Sequence, residues 1–179
     1  MNKLPFVWEL KSKGDLHSED CISHAIGSPH GLMIYASQYT KDLLQFLEDK
    51  SIVLVESNVN YGGTLDATLV DISNDFKMPI KEIASREDRE AFEDQYSVYL
   101  NGQTAVEAYK QGDEEAIKKI YGAQIAPLTE KCNTSMAKES LRFFKTLKAL
   151  IMVDLAHFLI EPSLLTMYKD KGIEIKKIQ

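Results

Sequence analysis

The chain has 179 residues, 44% hydrophobic and 27% charged, a composition that suits one folded domain and excludes intrinsic disorder. Its formal net charge of −6 argues against nucleic acid as a partner, because phosphates demand basic surface. Cys21 and Cys132 lie too far apart to suggest a disulfide framework, and neither a signal peptide nor a membrane span is legible, so a reducing, cytoplasmic location is expected.

Leu4, Phe6, Trp8 and Leu10 alternate with their neighbours, so the pattern predicts a strand over 4–11. Residues 12–31 read as turn-rich, with a short helix opening at Ser18 and closing near Gly27. Residues 32–36 fit either a buried strand or the first turn of the next helix. Thr40 opens an amphipathic helix to Lys50, with Leu43, Leu44, Phe46 and Leu47 inward. Ser51 to Ser57 read as a strand whose four-residue aliphatic run is of the kind buried on both faces of a sheet, and Leu65 to Ile72 read as its hairpin partner.

Beyond Asp75 the reading is helical. Short helices are expected over 79–84 behind Pro79, from Ser85 to Leu100, over 104–111 and from Asp113 to Gly122. Asp113 is the cap of the last of these, with Glu114 and Glu115 in its first turn and Lys118 and Lys119 in its last, as the helix dipole prefers. Pro127 is read as a break. A single long helix over about 134–160 follows, amphipathic in its first half and apolar all round in its second. Pro162 stops it, and a short helix from Ser163 and a terminal strand over 172–178 complete the chain. The expected class is α+β: a small antiparallel or mixed sheet from a strand-rich 1–75, packed on a helix-rich 76–179 centred on the long helix, all in one domain.

Four stretches carry side chains able to do chemistry or recognition. His17, Cys21, His24 and His30 include nitrogen and sulfur ligands suited to zinc, and Cys21 with His24 has the makings of a nucleophile and base. Their spacing matches no zinc signature, so no metal or other cofactor is expected. Asp154, His157 and Glu161 would share one face of the long helix, where ionisable groups require partners: a buried network, a metal or an active site. Residues 60–64, Asn-Tyr-Gly-Gly-Thr, follow an apolar strand but lack a phosphate-binding signature, and a hairpin loop explains the glycines.

The fourth stretch is acidic: Glu87, Glu90, Glu93 and Asp94, with Tyr96 and Tyr99 as aromatic anchors, form a candidate docking surface. Acidity and the lack of a catalytic signature make a protein-binding inhibitor of immunity or antitoxin type the expected function, acting on a basic partner such as a nuclease toxin. A small metal-dependent or Cys/His hydrolase, using the histidine cluster or the Asp154, His157 and Glu161 face, is the alternative.

Overall fold

The computed structural model describes residues 3–13, 20–29, 36–56, 64–85, 87, 103–122 and 125–179. They form an α+β structure, a mixed six-stranded sheet surrounded by helices. The strands are β1 (Val7–Ser12), β2 (Cys21–Ser28), β3 (Ile52–Val55), β4 (Ile80–Glu82), β5 (Ala149–Asp154) and β6 (Glu174–Lys177). The helices are α1 (Thr40–Leu47), α2 (Leu65–Asp75), α3 (Gln103–Gln111), α4 (Glu114–Tyr121), α5 (Ala126–Phe144), α6 (Ala156–Leu159) and α7 (Leu164–Asp170). No helix among the described residues is long and apolar enough to cross a membrane.

The strand order is β4-β3-β5-β2-β1-β6. β4, β3, β5 and β2 run parallel, and β1 and β6 close one side antiparallel. Both faces of the sheet are covered. Phe6 and Trp8 leave one face to meet Tyr109 of α3 and Phe158 of α6, with ring centroids 5.3 and 5.1 Å apart. Glu9 and His24 pair across β1 and β2 and so share the opposite face, where His24 lies 5.1 Å from the ring of Phe46 in α1.

The largest departure from the sequence reading is the expected long helix. α5 begins at Ala126, accommodates Pro127 in its first turn where a missing N–H costs nothing, and ends at Phe144. The apolar run that follows is β5, all six residues buried. A strand between two parallel neighbours is apolar on both faces, so it carries no periodicity to separate it from a buried helix. β5 lies between β3 and β2, with Ile151 opposite both Leu54 and Ala25.

Three shorter assignments change as well. Residues 21–28 form β2, not a helix, and at Gly27 the Leu155 side chain fills the space a Cβ would take. Residues 65–75 form helix α2, not a hairpin strand, because Thr64 accepts a hydrogen bond from the Ala67 amide at 3.2 Å and caps the first turn. Ile80 to Glu82 form β4, not a helix, paired in parallel with β3 at the sheet edge. Helices thus precede residue 75 and strands follow it, so the two element types alternate along the chain. The expected hairpin loop before Thr64 and most of the expected 85–100 helix lie outside the described residues, as do positions 32–35 of the ambiguous 32–36 stretch.

Candidate functional site

Parallel strands place their last residues at one edge of the sheet, and in open parallel sheets ligands bind beyond that carboxyl edge. Here three apolar strands each finish on a polar residue. β2 ends at Ser28, β3 is followed directly by Glu56, and β5 ends at Asp154. Ser28 is the register partner of Asp154, and Val55 that of Met152, so the three residues stand side by side at the ends of neighbouring strands. Ser28 and Asp154 are 0% exposed and Glu56 4%.

The backbone turn after β5 adds the fourth member. Leu155 donates its amide to the Ser28 carbonyl at 2.7 Å, and the single helical turn of α6 carries His157, also 0% exposed, back over the strand ends. His157 Nε2 stands 3.6 Å from Glu56 Oε1, and Glu56 Oε2 accepts from the Asp154 amide at 3.2 Å. Asp154 Oδ1 accepts from the Ala156 amide at 2.7 Å and from the Tyr121 hydroxyl of α4 at 3.0 Å.

Further helices supply the surround. Ser28 Oγ donates to Asp66 in the first turn of α2. Tyr109 of α3 donates its hydroxyl to the Gly27 carbonyl at 2.9 Å, and burial, with Tyr39, Asp66 and Asp154 nearby, holds its proton well above the ordinary phenol range. On the α5 side His157 Nδ1 meets Asn133 Oδ1 at 2.7 Å. The result is a buried Glu56–His157 pair, joined to the end of β5 through the Asp154 backbone amide, at the carboxyl edge of the parallel strands. Ionisable groups are costly to bury, and clusters of them mark candidate sites.

Asp154 and His157 do not share a helix face: β5 ends at the first, a helical turn carries the second, and Glu56 links them by accepting from the Asp154 amide and facing His157 Nε2. Glu161 is not part of the cluster. Its carboxylate accepts from the Ser163 amide at 2.9 Å and from the Thr166 hydroxyl at 3.0 Å, which fastens the start of α7. Glu56 takes its place, a residue the sequence reading did not single out. An acidic residue closing an otherwise apolar strand, as in Val55-Glu56 and Val153-Asp154, is the signal that would have found it.

The histidine and cysteine cluster does not assemble among the described residues. Cys21 and His24 both lie on β2, three residues apart, so their side chains leave opposite faces and cannot form a nucleophile–base pair. His24 faces the α1 side, where burial and the adjacent Lys50 hold its pKa below the ordinary value. His17 and His30 lie outside the described residues. No group of three or more His, Cys, Asp or Glu among the described residues is arranged to hold a metal ion. Of the acidic docking candidates Glu87 is exposed, while Glu90, Glu93, Asp94, Tyr96 and Tyr99 lie outside the described residues.

Comparison of the chain with protein-family models, with curated proteins and with solved structures finds no match.

Proposed function

We propose that this is a small-molecule-binding domain whose ligand docks at the carboxyl edge of the parallel strands and exchanges a proton with the Glu56–His157 pair. The observation that carries the reading is the buried Glu56–His157 contact at the carboxyl edge of the sheet, where Glu56 also accepts from the Asp154 amide. Their chemistry selects the ligand class. Carboxylates accept hydrogen bonds, so the site favours a molecule rich in donors, such as the vicinal hydroxyls of a ribose or sugar. Glu56 or His157 then serves as general base or acid toward such a hydroxyl. If the cluster only held the fold together, apolar side chains of similar volume would do so at no greater cost in stability.

Asp154 and His157 are fully buried, so a ligand reaches them only with local rearrangement, and association is slower than for a preformed cleft. The test is a thermal-denaturation panel of nucleosides and monosaccharides on the full chain. A ligand that raises the midpoint of the wild type and not that of Glu56→Gln supports the reading. A panel that leaves the midpoint unmoved, or a ligand equally effective on Glu56→Gln, removes it.

A second reading keeps the chain as a cytoplasmic inhibitor of a basic protein. Its support is the net charge of −6 and the exposed Glu87 at the start of the acidic stretch. Association with a co-purifying basic partner that slows as salt rises supports it, and an on-rate indifferent to salt opposes it.

A further inference from the structure

We infer that Asn133 is a positioning residue that locks His157 in the tautomer with its proton on Nδ1, so that Nε2, facing Glu56, is the nitrogen that gains and loses a proton. The inference deepens the proposed site and depends on that reading only for the purpose of the proton exchange.

Asn133 sits on α5, fully buried. Its amide nitrogen donates to two backbone carbonyls, that of His157 at 3.3 Å and that of Pro162 at 2.9 Å. Those carbonyls decide which way the amide points. With the group reversed, its oxygen would face two other oxygens, all of them acceptors. The oxygen Oδ1 is thereby held toward the imidazole, 2.7 Å from Nδ1. An amide oxygen can only accept, so Nδ1 has to carry hydrogen. A bare Nδ1 would leave two acceptors in contact in a water-poor interior.

The consequence falls on the other nitrogen. Nε2 points at Glu56 Oε1, 3.6 Å away, and Glu56 is itself held by the Asp154 amide at 3.2 Å. With Nδ1–H committed to Asn133, every proton that the ring gains or loses passes through Nε2, on the side of the strand ends. Asn133 also ties His157 to the Pro162 turn that leads into α7, so the ring is held from the helix side and the strand side together.

The test is long-range proton–nitrogen correlation of the full-length protein with 15N-labelled histidine, in alkaline buffer where imidazoles are neutral. His157 is assigned from the signals missing in His157→Gln. The expected result is a protonated-type Nδ1 shift, an unprotonated-type Nε2 shift, and an Nδ1–H proton slow to exchange with water. Asn133→Ala is expected to lose the slow Nδ1–H signal. A wild-type spectrum with Nε2 protonated and Nδ1 bare overturns the inference, as does an unchanged Nδ1–H in folded Asn133→Ala. The wild-type spectrum decides even if the alanine variant fails to fold. Because the readout needs no ligand, an inactive site and a wrong tautomer give different results.

Discussion

Truncating Ile151 to alanine measures whether the apolar run at 149–154 is the middle of the sheet. Ile151 is 0% exposed in β5, between Leu54 of β3 and Ala25 of β2. The change removes about three methyl or methylene groups, worth about 0.8 kcal/mol each in transfer free energy, or roughly 2.5 kcal/mol. A cavity cost adds to this, because strands pinned by ladder hydrogen bonds on both sides collapse little. The total falls at about 3–4 kcal/mol, inside the usual range for buried aliphatics. Leu147 supplies the internal control. It is only half-buried, in the turn between α5 and β5, and its truncation is expected to cost about 1 kcal/mol. Urea denaturation followed by the fluorescence of Trp8, which is 3% exposed and packed on Phe158, reads both losses. A loss below about 1 kcal/mol for Ile151→Ala, or one no larger than that of Leu147→Ala, would refute the placement of β5 at the centre.

Two further outcomes follow from local features. Burial and Lys50 lower the pKa of His24, so the folded state resists its protonation. The stabilisation from neutral His24 is complete above the unfolded value of about 6.5 and is lost as pH falls below it toward the folded value. Wild type should therefore lose more stability than His24→Gln between pH 8 and pH 5.5, and parallel losses would contradict this. Asp113 accepts from the Ala116 amide at 3.0 Å and caps α4, so Asp113→Ala should cost about 1 kcal/mol in the same urea assay. No measurable loss would show that water replaces the cap.

What the sequence reveals here depends on whether the deciding signal is local. Asp113 with its flanking charges, Ser163 ahead of α7 and the alternation around Trp8 each set an element within a few residues, and the fold uses them as read. Ile52 to Val55 were legible as a buried strand because four β-branched or aliphatic residues in a row suit burial on both faces of a sheet. Residues 149–154 were not, because the amphipathic α5 pattern just before them invites a helix to continue and an all-apolar stretch offers no period to stop it. Leu65 to Ile72 failed for the opposite reason. A hairpin partner is expected there for β3, but Thr64 caps a helix and β3 pairs with distant β5 and β4 instead.

The site divides in the same way. Asp154 and His157 were singled out because ionisable residues stand out in an apolar run. Glu56 was missed because its partner Asp154 lies 98 residues away, and only the parallel register of β3 beside β5 brings them together. Glu161 was included by helical spacing alone and drops out once the helix does.

The most direct measurement compares two carboxylates that the sequence could not rank. For any nucleoside or sugar that stabilises the wild type, its dissociation constant is measured by calorimetry on Glu56→Gln and Glu161→Gln, well below the unfolding midpoint. Glu56 faces His157 at the strand ends, whereas Glu161 fastens the start of α7. The expected result is at least a tenfold loss of affinity, about 1.4 kcal/mol, for Glu56→Gln and none for Glu161→Gln. Equal affinity in wild type and Glu56→Gln, or a loss confined to Glu161→Gln, would contradict a ligand site at the carboxyl edge of the sheet.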